Sequence, residues 1–465
     1  MNSFRELLLQ GIDRRQLMAC TVLSAFGSQF SNEAVAKKPD RFSPDFEDAD
    51  DLLELMRAEA DGAWRLTESH TRTMRESEWE PIGRRANDWS WWTLPQDQQR
   101  PVAWPKPKND VDAESFANWN VAEADIKVSH DTLSWLAERN SFDLTYPAFD
   151  ARNTDEIVIV GLRGAALADG SYDSGWASSH LVSREVPDHI NHRCLLGAWS
   201  RRHKIVRLFK ASTVPEVSYM WLQLLLEEGA NLLPTGLYAY EVGPHGLSHQ
   251  RTTQVGALRL AGHAFPKRGN TIRDVNVLRS LNDLTYSVGD ATEIWDICQP
   301  SDNIHASIFG SREKYLVGAK NQHFSSAGCH TVPGGYALKY NGQGRRAFTT
   351  EPIGPWREFR AALGLSASPE MTGSITTTDD GRQFYYMLLS GWDAAIASTG
   401  DNEARQRYWP LRAGSSGKRV EALQRSLHIE VDGAFGPATA DRLILTKKIE
   451  LQIAESPIAL PSMGF

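Results

Sequence analysis

A set of short apolar runs, each closed by a glycine or a turn, narrows the fold of this chain more than any other feature. Glu156-Ile-Val-Ile-Val160 ends at Gly161, and Leu237-Tyr-Ala-Tyr-Glu-Val242, Gly256-Ala-Leu-Arg-Leu260 and Phe384-Tyr-Tyr-Met-Leu-Leu389 follow, the last just before Gly391. Runs of this length, rich in β-branched and aromatic residues, read as buried strands. Helical spacing shows at Val217 to Glu228 and near Trp356 to Leu363. Short strands with occasional helices predict an α+β domain over 151–400 rather than a doubly wound sheet.

The chain of 465 residues is long enough for two or three domains. Four blocks are expected. Residues 1–36 carry Arg14-Arg15, a short apolar run from Leu17 to Gly27 and Ala34-Val35-Ala36, the pattern of a twin-arginine export signal. Leu17-Met18-Ala19-Cys20 also has the form of a lipoprotein box. Residues 37–150 form a charged region that opens with an acidic helical stretch and holds Trp89, Trp91, Trp92 and Trp104. Those tryptophans suit either packing or stacking on sugars. Residues 151–400 are the strand-rich block, and a small module spans 405–450.

The net charge of −8 and the absence of a sustained Lys/Arg run exclude a chain built to bind nucleic acid. No run approaches the ~20 apolar residues of a transmembrane helix. Four cysteines, Cys20, Cys194, Cys298 and Cys329, are widely spaced. Removal of Cys20 with a signal leaves three, which is no disulfide framework, and no C-x-x-C pair points to zinc. An odd thiol in an exported chain is a candidate reactive group.

The closing block carries Leu411, Gly414, Gly417, Val420, Leu423, Gln424, Leu427, Asp432, Gly433, Phe435, Gly436 and Thr439. In these it resembles the three-helix peptidoglycan-binding module of bacterial cell-wall enzymes. After Thr439 it departs from that pattern, with Leu451-Gln452 where the family has Phe-Gln. The resemblance implies a wall-binding surface around Asp432, Gly433, Phe435 and Gly436; a small structural bundle without a ligand is the alternative.

Asn303-Ile304-His305-Ala306-Ser307, a gap, then Ser326-Ala327-Gly328-Cys329-His330-Thr331 resembles the signature of the L,D-transpeptidases. The gap is longer than usual, Ala327 replaces a histidine, and Thr331 stands where the family has arginine or asparagine. The resemblance implies a β-rich L,D-transpeptidase-like domain at 151–400. It also implies attack by Cys329 on an amide next to diaminopimelate in a peptidoglycan stem peptide, releasing D-alanine. Transfer to an amine gives a crosslink and transfer to water gives a carboxypeptidase. The setting is periplasmic or in the cell envelope, the partners are stem peptides and glycan, and no cofactor or metal is implied.

The residue types suit that chemistry. A thiol is only slightly ionised at neutral pH, so Cys329 needs a base, and His305 is placed for the role. Gly328 permits a turn that keeps Cys329 exposed, with the amides of Gly328 and Cys329 aimed at the oxyanion. Ser326 either orients the histidine or holds the turn. His323 is a substitute base or substrate contact, and His330 points away from Cys329 if its segment is extended. Arg163 and Arg273 are candidates for a substrate carboxylate, with structural ion pairs as the alternative. Two rival functions stand beside this one. One is a wall-binding scaffold without chemistry. The other is a metal-dependent peptidase using His245, His249 and His263, whose spacing matches no ligand motif.

Overall fold

The computed structural model describes residues 124–447 apart from 145–149, 151, 186, 188–191, 217–229, 246–253, 266–269, 281–292, 308–323, 325, 341–345 and 374–375. The expected export signal, the four tryptophans, the 217–228 helix, His249 and His323 all lie outside the described residues.

The described chain is a strand-rich α+β fold. It begins with β1 (Ile126–Ser129), α1 (His130–Arg139), β2 (Ile157–Arg163), β3 (Ala165–Leu167), β4 (Ser179–Arg184), β5 (Cys194–Ser200) and β6 (Ile205–Ala211). Next come β7 (Gly236–His245), β8 (Gln254–Phe265), β9 (Asn270–Ile272), β10 (Val275–Ser280), β11 (Glu293–Cys298), β12 (Ile304–Ala306) and β13 (His330–Val332). Then follow β14 (Gly335–Tyr340), β15 (Arg346–Ile353), α2 (Pro355–Ala362), β16 (Gln383–Ser390) and α3 (Gly391–Ser398). The chain closes with α4 (Asn402–Arg407), α5 (Lys418–Ser426) and α6 (Pro437–Lys447).

The main sheet runs β13-β12-β8-β7-β16-β2-β5-β6, with β9 paired to β8. Its two edges meet where Ser212, just past β6, bridges Thr331 in β13, so the sheet is nearly a closed barrel. Alternation sorts its side chains. Ile159, Leu196, Phe209, Tyr238, Tyr240, Ile304, Val332, Tyr386 and Leu388 form the inner core, which α2 plugs with Trp356 and Phe359. Val158, Val160, Leu195, Leu237, Met387 and Leu389 face outward, beneath α1, α3 and the small β1-β4-β3 sheet. Strands buried on both faces read as continuous apolar runs, which is why these are visible in the sequence.

The run expected to end at Gly161 continues to Arg163. Gly161 is a mid-strand residue, and a Cβ there would sit 2.3 Å from Tyr386 Oη. The glycine therefore makes room for a ring rather than a turn.

β1 and α1 fall within the block expected as a separate Trp-rich region, yet they pack into the outer core. Ser129 caps α1 by accepting the Thr132 N–H at 3.2 Å. The C-terminal module joins the same core through Val420, Leu423, Leu427, Phe435 and Leu443. Its loop adds backbone bridges, Gly236 to Ala413 and Phe142 to Ser415. At that junction the Arg412 guanidinium meets the Asp393 carboxylate at 2.9 Å, with both side chains fully buried. Tyr408 Oη donates to Asp393 at 2.7 Å, and Arg412 also donates to Thr235 Oγ1 at 2.8 Å.

Candidate functional site

The two halves of the cysteine–histidine motif are neighbouring strands. β12 and β13 pair in parallel, with Ile304 opposite His330, His305 opposite Thr331 and Ala306 opposite Val332. Ile304, Ala306 and Val332 point into the barrel core. The residues between them, His305 and Thr331, therefore share the other side, and Cys329 lies one period before Thr331. His330 turns inward, with its Nδ1 2.7 Å from Tyr386 Oη, so it faces away from Cys329 as expected.

The turn before Cys329 is held by Ser326. Its Oγ accepts the Gly328 N–H at 3.1 Å and donates to the Cys329 carbonyl at 2.5 Å. The turn is docked by two more bonds, from the Glu216 N–H to Ser326 O and from the Asn231 N–H to Ala327 O, both 2.7 Å. Gly328 has φ +147°, and a Cβ there would lie 2.3 Å from Asp302 Oδ1. Two expectations need correction. The Gly328 amide is engaged with Ser326 rather than aimed at an oxyanion. Cys329 is buried, only 6% exposed, because the turn packs against Asn231 and Asp302 instead of projecting outward.

Around the thiol lie His305 and a residue that the motif omits, His245, at the end of β7. One ring nitrogen of each histidine and Cys329 Sγ all lie within 4.8 Å of one another. The imidazoles stack with centroids 4.3 Å apart and planes at 12°. Sγ donates to the Ser301 carbonyl at 3.0 Å. Burial pushes the Cys329 thiol well above its ordinary pKa; the nearby Asp302 carboxylate adds to this, and the Asn303 N–H opposes it. Burial lowers His305 to about 4, against a hydrogen bond to Ala306 O that favours its charged form. His245 is held well below the usual histidine range by burial and then by His305. In the resting site the thiol is protonated and both rings are neutral.

Two imidazoles and a thiolate are donors that zinc accepts. The stacked rings argue against chelation as they stand. A histidine lone pair lies in its ring plane, and planes inclined by 12° converge far beyond the ~2.1 Å of a zinc–nitrogen bond. The other expected metal candidate, His263, is not part of the group. It stacks on Tyr238, and its Nδ1 lies 3.2 Å from Leu237 O, toward the other end of the β7–β8 hairpin.

The remaining candidates sit elsewhere. Arg163 is buried, and its guanidinium clasps Thr213 O, Thr213 Oγ1 and Leu233 O at 2.7–3.2 Å, so it pins two loops rather than facing a substrate. Arg273 is exposed in the turn between β9 and β10, beside Ile272, which approaches Gly436 of the module. In that module Gly433, Phe435 and Gly436 are internal and Asp432 is half-buried. Phe435 is fully buried. Gln424 accepts the N–H groups of Asp432 and Gly433 and donates to Asp432 Oδ1 and Ala434 O. The Gly436 N–H bonds Ala434 O. These residues build the bundle; a wall-binding surface would have to lie on its outer faces.

A surface cleft of about 400 Å³, lined by Arg152, Asp155, Trp176, His203 and Arg382 among others, contains none of the candidate residues. Comparison of the chain with protein-family models, with curated proteins and with solved structures gives no match.

Proposed function

We propose that this chain carries out cysteine-dependent acyl transfer on peptidoglycan stem peptides, as an L,D-transpeptidase or L,D-carboxypeptidase. The observation that carries this reading is the parallel pairing of β12 with β13. It brings His305 and Cys329, 24 positions apart in the chain, within reach of one another. The Cys329 proton passes to His305, and the thiolate adds to the scissile carbonyl. Collapse expels the amine, which takes the proton back from the imidazolium. An amine or water, giving up a proton to His305, then attacks the thioester; the C–S bond breaks, the proton returns to Cys329, and a crosslink or a trimmed stem is released. Because the resting thiol is protonated and buried, the ion pair forms only when substrate reorders the site.

Mass spectrometry of tetrapeptide-stem muropeptides incubated with the wild type and Cys329→Ser tests this. Crosslinked or trimmed products made by the wild type and lost in the variant are expected. Equal turnover by both proteins would sink the reading.

The burial of Cys329 and its raised pKa favour a second reading, a wall-binding scaffold without chemistry. It requires that neither protein turns over substrate and that both sediment with purified sacculi.

A further inference from the structure

Among the described residues of the cysteine cluster, His245 is not accounted for by the motif, and its hydrogen bond to Asn303 fixes its tautomer. The Asn303 side chain is oriented by the Leu260 N–H, which donates to Asn303 Oδ1 at 3.1 Å. The Asn303 amide nitrogen therefore faces His245 Nδ1, 2.8 Å away. An amide nitrogen only donates, so Nδ1 of His245 is an acceptor and the ring proton of the neutral form sits on Nε2. His305 is held in the opposite way. Its Nδ1 lies 2.7 Å from the Ala306 carbonyl, which only accepts, so Nδ1 carries the proton and Nε2 keeps the lone pair.

We infer that His245 is a further site residue, a neutral Nε2–H donor for the Cys329 thiolate and the oxyanion, held in that tautomer by Asn303, while His305 is the base. The inference rests on the acyl-transfer reading. The division of labour follows from the stack. Rings 4.3 Å apart cannot both become cationic at reasonable cost, so once His305 takes the thiol proton its neighbour must act while neutral. A donor supplied by His245 also replaces what the Gly328 amide cannot give, since that N–H is bonded to Ser326. The Asn303 side chain has a positioning role: it sits one residue before β12 and holds His245 Nδ1, while the backbone N–H of the same residue favours the Cys329 thiolate.

Two readouts on the full chain test this, and neither depends on the other. Nitrogen-15 NMR of the imidazoles should show His245 as the Nε2–H tautomer and His305 as the Nδ1–H tautomer. An Nδ1–H signal for His245 would overturn the assignment. Alkylation of Cys329 by iodoacetamide, followed by mass spectrometry of its peptide across pH, reports the thiolate. His245→Phe keeps the aromatic stack and removes the donor, so the pH midpoint of alkylation should rise; His245→Gln keeps an N–H and should restore part of the shift. If turnover is present, His245→Phe should lower kcat roughly 10²-fold with little change in KM. An unchanged alkylation midpoint in His245→Phe defeats this inference while leaving the Cys329 test untouched. Equal turnover by the wild type and Cys329→Ser defeats the parent reading instead.

Discussion

The turn at Cys329 is specified by Gly328 and Ser326, and each has a distinct cost of replacement. Gly328 has φ +147°, where side chains are strained, and it abuts both Asp302 Oδ1 and the Asn231 backbone. Gly328→Ala must therefore move a buried carboxylate or the chain itself. We expect it to destabilise the protein by about 1–3 kcal/mol and to displace Cys329, as read by a lower Tm and altered Cys329 alkylation. Ser326→Ala leaves the Gly328 N–H and the Cys329 carbonyl without the hydroxyl they share, a loss of about 1–3 kcal/mol, measurable in denaturant melts. The sequence reveals this much of the site because Ser326, Gly328 and Cys329 act locally, within four residues. It does not reveal His245 as a partner of His305, because that contact joins residues 60 positions apart and depends on the register of β7 against β8. Nor can it show that Cys329 is buried, since burial is set by Asn231 and Asp302 from other parts of the chain.

At the level of elements, what is legible follows from how each element is buried. β2, β7 and β16 are largely apolar on both faces and stand out as runs, β8 shows an apolar run despite the exposed Arg259, and α2 shows its helical spacing. β12 and β13 have three residues each and do not, although their pairing makes the site. The polar part of the junction between α3 and the C-terminal module is also silent in the sequence: beside the shared apolar core it is a buried ion pair between residues on different elements. Asp393 caps its own helix by accepting the Ser390 N–H and also holds Arg412. Arg412, hydrogen bonds and Tyr408 keep its carboxyl below the usual range despite burial. Asp393→Asn would leave the Arg412 charge buried without its counter-ion, and we expect a loss of about 3–5 kcal/mol in urea or guanidinium unfolding. The double variant Asp393→Asn with Arg412→Met should recover part of that loss. If the single and double variants are equally unstable, the unpaired Arg412 charge is not the source of the loss.

For the whole molecule, the shared outer core predicts that barrel and module unfold together, because Leu423 and Phe435 belong to the same apolar cluster as Val160 and Leu389. The same packing sets the response to acid. His245, His263, His305 and His330 are buried, and desolvation lowers each pKa, His263 and His305 to about 4. A group whose folded pKa is depressed binds its proton more readily in the unfolded chain. Its stabilising contribution is therefore whole above the unfolded value of about 6.5 and is lost as pH falls through the folded one. The chain should weaken steadily between about pH 6.5 and pH 4, each tenfold weakening of proton affinity at a single histidine being worth about 1.4 kcal/mol. Asp393 titrates lower, so it contributes little in that window. Guanidinium melts at half-unit pH steps should show the midpoint falling through this range in a single transition for both near-ultraviolet and far-ultraviolet signals. His263→Gln should flatten the slope without touching the cysteine cluster. A stability profile that is level from pH 7 to pH 4.5 would mean that these imidazoles protonate within the folded state, and that the cluster around Cys329 is wetter than its packing indicates.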